Sequence, residues 1–219
     1  MMGMGHYSMQ KIRLKYAKTG KATYISHLDL MATMQRAFLR AGIELKYSEG
    51  FNPHPYMSVA LPLSVGNESV CELMDVAIMD NELPDIKKIK LPEGIEVLDA
   101  YMPMRKFNEI AWVEIIGSMH YETEINAAQI DNLKQCYDRQ SIVVSKRTKR
   151  GNKDLDIAPY IKNISFDFND AIIMSAKISA QNPTLNTDDI MNVLDENNKP
   201  EFMRIKRIDI YDSNMIKFR

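Results

Sequence analysis

The 219-residue chain is 45% hydrophobic with a net charge of −1, which fits a packed core and excludes a disordered chain. No apolar run approaches the ~18 residues that span a bilayer, and residues 1–8 lack the pattern of a signal peptide, so we expect a cytoplasmic protein with no membrane contact. Cys71 and Cys136 are too few thiols for an iron–sulfur cluster or a structural zinc site, and we expect both to be free.

Charge is distributed unevenly along the chain. Residues 11–46 contain eight basic and two acidic side chains, whereas residues 66–99 contain three basic and nine acidic ones. If the two segments lie apart, the first forms a basic face that attracts polyanions. If they are neighbours, their charges neutralise each other.

The first half of the chain shows alternating strand patterns around one strong helix pattern. Ser26 is placed as an N-cap with Asp29 three residues later, apolar residues then recur at helical spacing, and Gly42 ends the helix as the C′ residue. A weaker helix is predicted over residues 83–90. Strands are predicted over residues 12–17, 44–47, 57–63, 70–79 and 95–101.

The second half repeats this order. Helices are predicted over residues 126–138 and 187–196, the latter capped by Thr187. Strands are predicted over residues 111–117, 141–147, 164–168, 171–179 and 203–212. The order predicts an α+β protein made of two tandem ferredoxin-like βαββαβ units with antiparallel sheets. The predicted domains are residues 9–106, which carry a Gly-Phe-Asn-Pro-His-Pro loop, and residues 107–219, which carry a basic loop.

The loop between the first helix and the following strands combines an aromatic ring, an amide and an imidazole. Phe51 can stack on a planar group such as a nucleobase, and Asn52 can hydrogen-bond to it. His54 belongs to the same predicted ligand site, which Tyr47 and Tyr56 bracket. The alternative is structural, with Phe51 filling the core and Asn52 shaping the turn before a proline.

His27, Asp29 and His54 are the candidates for any catalytic role. Two histidines and a carboxylate can transfer protons or bind a divalent metal. Alternatively, Asp29 serves the helix cap, His27 bonds a backbone group and His54 stiffens the loop. The chain has no tight metal-ligand spacing, no Gly-rich phosphate loop and no nucleophile elbow, so we expect neither a metal nor a cofactor.

Basic residues form two candidate nucleic-acid contacts. One is a charge run in the second half that can follow a phosphate backbone, or can simply be solvated. The other is a strip on the first helix. The residues are Lys146, Arg147, Lys149, Arg150 and Lys153 in the run, and Arg36 and Arg40 on the helix.

Four motifs resemble a bacterial family of radical-SAM-linked proteins of uncharacterised function, found fused to or encoded beside a radical SAM protein. They are KIRLKYAKTG at 11–20, ISHLDLM at 25–31, YSEGFNPHP at 47–55 and ALPLSVG at 60–66, with weaker matches at 154–161, 185–194 and 204–210. Glu49, Tyr56 and Ala158 depart from the family pattern and make the predicted site less basic. The resemblance implies a radical SAM enzyme as partner but no substrate.

These observations favour an accessory module that presents a substrate, RNA or a translation-related target, to a radical SAM enzyme. The chain lacks the cysteine triad of such enzymes and is expected to have no catalytic activity alone. One alternative is a stand-alone RNA-processing or RNA-modifying enzyme that uses His27 and His54. Another is a protein-binding scaffold without a ligand.

Overall fold

The computed structural model describes residues 9–122, 125–148, 151–196 and 198–219. The chain divides into two compact units, residues 1–107 with Arg219, and residues 108–218. Strands contain 41% of the residues in the described ranges and helices 21%. Cys71 and Cys136 are free and buried, as predicted.

The first unit places one helix, α1, against a four-stranded antiparallel sheet of order β4-β1-β3-β2. The helix is His27–Arg40, and the strands are Gln10–Lys18 (β1), Met57–Val59 (β2), Glu68–Ile78 (β3) and Ile95–Tyr101 (β4). Helix α1 packs through Leu30, Met34 and Phe38, and the sheet contributes Ile12 and Leu14 to the same cluster. Each fully buried side chain of this size contributes about 1.5–3 kcal/mol to stability.

The ends of α1 follow the sequence prediction. The Ser26 Oγ accepts a hydrogen bond from the Asp29 backbone N–H at 3.2 Å, and its hydroxyl donates to the Asp29 carboxylate at 2.7 Å. At the other end, Gly42 has φ +74° and donates its N–H to Leu39. The N-cap and C′ predictions are therefore confirmed.

The second unit contains a four-stranded antiparallel sheet of order β10-β5-β9-β8 and a separate two-stranded hairpin, β6-β7. Its helices are α2 (Ala127–Tyr137) and the short α3 (Thr187–Met191). The strands are Ile110–His120 (β5), Val143–Thr148 (β6), Gly151–Asp156 (β7), Ile161–Asn169 (β8), Ala171–Ser179 (β9) and Phe202–Asp212 (β10). Asn126 caps α2, and Asn186 rather than the predicted Thr187 caps α3.

The prediction of two tandem ferredoxin-like βαββαβ units is wrong, because strands predominate and the second helix of each predicted repeat is missing or short. Residues 83–90 form only a three-residue 3-10 turn, Ile86–Lys88. The predicted segment is only eight residues long, and Pro92 follows it closely and disfavours helical backbone at residue 91. Helix α3 has five residues, although residues 187–196 were predicted to be helical.

One strand prediction and one loop prediction are also wrong. Residues 44–47 form no regular strand, since Leu45 makes an isolated bridge to Ile78 and Tyr47 makes another to Pro55. The predicted basic loop after β6 instead contains β7, which pairs with β6. Residues 149 and 150 lie outside the described part of the chain.

Candidate functional site

The segment from Tyr47 to Tyr56 is a closed loop with its own hydrogen bonds. The Ser48 backbone N–H donates to the His54 carbonyl at 2.9 Å, and the His54 N–H donates to the Ser48 Oγ at 3.1 Å. The Ser48 hydroxyl and the His54 Nδ1 are 3.0 Å apart and share a third bond. Ser48 and His54 therefore fix the base of the loop from both backbone and side chain.

The tip of this loop presents an aromatic ring to solvent. Phe51 is fully exposed, so the alternative that it fills the core is wrong. Gly50 precedes it with φ +112°, a backbone conformation that residues with a Cβ rarely adopt. Asn52 is also exposed, and its carbonyl oxygen lies 3.4 Å from the His54 Nδ1.

The two tyrosines that bracket the loop have different environments. Tyr47 packs against the core of the first unit, and its hydroxyl accepts a hydrogen bond from the Gln35 Nε2 at 3.0 Å. Tyr56 is half-exposed and lines a cavity beside the loop. Of this pair, Tyr56 is therefore the one that lines the cavity.

A cavity of about 540 Å³ lies next to the base of the loop. Its polar lining includes Lys11, Lys46 and His54, and its apolar lining includes Met57 and Val76. This volume suits a small-molecule ligand, and such sites commonly combine an apolar surface with a few convergent polar groups.

A buried ion pair supports one wall of the cavity. The Asp75 carboxylate, which lines the cavity, accepts from the Arg13 Nε at 2.6 Å and from the Arg13 Nη2 at 3.0 Å. The Lys11 Nζ lies 2.7 Å from the same carboxylate. Arg13 also donates to the Arg105 carbonyl at 2.9 Å and lies 4.2 Å from the centre of the Phe107 ring. Asp75 thus faces two cations, which leaves the wall positive.

The sequence prediction missed Lys11, Lys46 and Asp75. A signal for the first was present, because Lys11 and Arg13 alternate with the buried Ile12 and Leu14 on β1 and so share the opposite face. Asp75 could not be assigned, since its pairing with Arg13 depends on the register between β1 and β3.

His27, Asp29 and His54 do not form a metal centre. Within the described ranges, no group of three or more histidine, cysteine or acidic side chains is placed to hold a metal ion. Asp29 bonds Ser26 at the helix cap, whereas His54 bonds Ser48 in the loop. His27 is exposed on the first turn of α1.

The predicted nucleic-acid contacts are dispersed over separate elements. Lys146 on β6 bonds the buried Asp189 carboxylate and donates to the Thr184 carbonyl at 2.8 Å. Lys153 lies opposite Lys146 in the hairpin and is exposed. Lys149, Arg150 and the side chain of Arg147 lie outside the described part of the structure. On α1, Arg36 and Arg40 are both exposed, and the Arg40 Nη2 donates to the Lys90 carbonyl at 3.1 Å.

Fold and site together define a strand-rich protein of two units, with a polar-rimmed cavity of ligand-binding size in the first. The chain belongs to the family described as "Uncharacterized protein conserved in bacteria (DUF2344)", whose model matches residues 11–193. No curated protein matches the sequence. Across the described residues, no helix is long and apolar enough to cross a membrane.

Proposed function

We propose that this protein is a cytoplasmic accessory module that presents a substrate to a partner enzyme and carries out no reaction alone. The cavity beside the loop would hold an anionic group, and the loop tip would hold a planar one, as in a nucleotide of RNA. The observation that carries this proposal is the convergence of Lys11, Lys46 and His54 on a cavity with an apolar wall.

The charges around the cavity favour an anion. Asp75 is already matched by Arg13 and Lys11, so the ammonium of Lys46 adds positive charge that the cavity's one carboxylate does not neutralise. His54 adds two ring nitrogens, one of them held by Ser48. Phosphate is the common biological anion that such a set binds with charge-assisted hydrogen bonds.

The aromatic side chains favour a planar group attached to that anion. Tyr56 lines the cavity, and Phe51 is fully exposed at the tip of the same loop. A base stacked on an aromatic side chain contributes about 1–3 kcal/mol to binding, whichever base it is. A nucleotide satisfies both parts of the site, and RNA is the polymer that we propose as its source.

A radical SAM enzyme is the partner that we propose. The support is the resemblance of residues 11–20, 25–31 and 47–55 to radical-SAM-linked proteins. With only Cys71 and Cys136, the iron–sulfur cluster of such a reaction would belong to the partner. This protein would then contribute binding and positioning, which is the role of Lys46 and Phe51 in our proposal.

Isothermal titration calorimetry with AMP and UMP tests the nucleotide site. Lys46→Ala is expected to weaken binding about tenfold through loss of one charge-assisted hydrogen bond. Phe51→Ala is expected to weaken it at least about fivefold through loss of stacking. Lys21→Ala is the matched control, because Lys21 is exposed in the same unit but away from the cavity.

Two results would overturn the proposal. The first is the absence of nucleotide binding to the wild-type protein. The second is equal affinity in Lys46→Ala, Phe51→Ala and Lys21→Ala, which would mean that nucleotides bind elsewhere.

A further inference from the structure

The sheet of the second unit has two different faces. One face is buried and apolar, with Val113, Ile115 and Met119 on β5 beside Ile172 and Met174 on β9. The opposite face alternates with these residues and is partly or fully exposed. Its central side chains are Glu114, Ile116, Ser118 and His120 on β5, Phe202, Arg204 and Lys206 on β10, and Ile173, Ser175 and Lys177 on β9. We refer to these residues, with Trp112, Lys162, Asp167 and Asp209, as the open sheet face.

Aromatic rings lie at both ends of the open sheet face. At one end, the rings of His120 and Phe202 stack with centroids 4.4 Å apart and an interplanar angle of 16°. Phe202 is 47% exposed, and the Arg204 guanidinium lies 5.5 Å from its ring centre. At the other end, the Lys162 ammonium lies 4.1 Å from the ring centre of Trp112.

The spacing of these rings suits an extended chain. Trp112 and His120 belong to one continuous strand, β5, and a strand rises about 3.3 Å per residue, so roughly 26 Å separates them. Ser118 and Ser175 lie between the two ends on the same face. Their hydroxyls are suitable partners for a ribose 2′-OH, the group that distinguishes RNA from DNA.

The open sheet face has a small net positive charge. Its four cations are Lys162, Lys177, Arg204 and Lys206, and its three carboxylates are Glu114, Asp167 and Asp209. The Glu114 carboxylate accepts a hydrogen bond from the buried Tyr211, and the Asp209 carboxylate pairs with the Lys217 ammonium. The Lys177 ammonium lies 4.8 Å from the ring centre of Tyr211. Alternating cations and rings on an exposed sheet can neutralise phosphates while stacking bases.

We propose that the open sheet face binds single-stranded RNA, with Phe202 and His120 as one stacking position and Trp112 as the other. Two or three bases stacked on a four-stranded sheet is a known geometry of single-strand recognition. This surface belongs to the second unit and shares no residue with the cavity of the first unit. The inference therefore goes beyond the proposed function and does not depend on the nucleotide site.

Trp112 is the only tryptophan in the chain, so its intrinsic fluorescence reports on this face alone. Titration of the full-length protein with a short oligouridine is expected to change Trp112 emission, and the anisotropy of the labelled oligomer is expected to rise in parallel. Phe202→Ala is expected to weaken binding at least about fivefold. Arg204→Gln is expected to reduce the slope of log affinity against log salt by about 1.

Phe168→Ala is the matched control. Phe168 is 56% exposed on the neighbouring sheet strand β8, but it pairs with the buried Ile172 and so lies on the other face. The affinity of Phe168→Ala for oligouridine is expected to equal that of the wild type. Trp112 does not line the cavity of the first unit, so its emission separates this test from that of the nucleotide site.

Four results would overturn the inference. The first two are that the wild type does not bind oligouridine, and that Phe202→Ala and Phe168→Ala lose the same affinity for it. The other two are that oligouridine binds without a change in Trp112 emission, and that the wild type binds oligodeoxyuridine as tightly as oligouridine. Phe202 and Arg204 are both exposed, and circular dichroism of each variant confirms folding before titration.

Discussion

Replacing Asp75 with asparagine tests the buried ion pair beside the cavity. Arg13 is fully buried and Asp75 is 2% exposed, so the bidentate bond between them is shielded from water. Asparagine conserves volume and creates no cavity, but it leaves the Arg13 guanidinium without its buried counter-ion. Breaking such a pair from one side costs about 3–5 kcal/mol. That is a large part of the roughly 5–15 kcal/mol that stabilises a typical domain.

Urea denaturation followed by far-ultraviolet circular dichroism measures this loss. Lys11→Ala removes the second cation from the same carboxylate, but the Lys11 side chain is 57% exposed. Its loss is therefore expected to stay below about 1 kcal/mol. The double variant Arg13→Met with Asp75→Leu is expected to be more stable than Asp75→Asn, because neither charge of this buried pair remains. A loss below about 1 kcal/mol in Asp75→Asn would refute the reasoning.

Two further predictions concern the first unit. Burial lowers the pKa of Lys18, and the Glu72 carboxylate offsets part of that shift. Between the lowered pKa of the folded state and the ordinary lysine pKa of 10.5, the unfolded chain therefore binds more protons than the folded chain. The free energy of unfolding of the wild type, relative to that of Lys18→Met, is expected to rise as pH increases toward 10.5. Urea unfolding at several pH values measures this difference, and a falling difference would contradict the assigned direction. Gly94→Ala is expected to lose more than about 2 kcal/mol, because φ is +87° and the added Cβ would lie 2.3 Å from the Thr19 carbonyl oxygen. Gly42→Ala is the control, because its φ is +74° but no atom lies within 4 Å of the added Cβ. Thermal unfolding of Gly42→Ala should show a loss of about 1–2 kcal/mol in the free energy of unfolding. Equal losses in the two glycine variants would show that the contact with Thr19 has no effect.

Elements with a strong local pattern were predictable from sequence. Alternation predicted β1, and the predicted strand 95–101 matches β4 at both ends. The Ser26 cap marked the start of α1, and the predicted helix 126–138 matches α2 within one residue at each end. These features depend on residues close together in sequence, where periodicity and capping operate.

Elements that depend on distant pairing were not predictable. Strand β6 was predicted, as residues 141–147, but β7 is rich in charged and polar residues and its sequence resembles a solvated loop. The attachment of the β6-β7 hairpin comes from Val144, which is buried, and from the bond between Lys146 and the distant Asp189. A run of like charges contains no information about such a partner.

In the candidate site too, residues close together in sequence were predictable and residues brought together by the sheet were not. The loop residues Phe51 and His54 stood out as unusual chemistry within one short segment. The cavity also requires Lys11 from β1 and Asp75 from β3, which only the sheet brings to the loop. Ligand contact by the loop and separate folding of residues 9–106 and 107–219 remain predictions.

The closed loop below Phe51 has a thermodynamic consequence. Ordering a backbone costs about 1–2 kcal/mol of conformational entropy for each residue fixed. Because Ser48 and His54 already close this loop in the folded protein, that cost belongs to folding rather than to association. A molecule that binds Phe51 has only the ring torsions left to immobilise. Contact at this tip should therefore be fast, with little rearrangement of the backbone on complex formation.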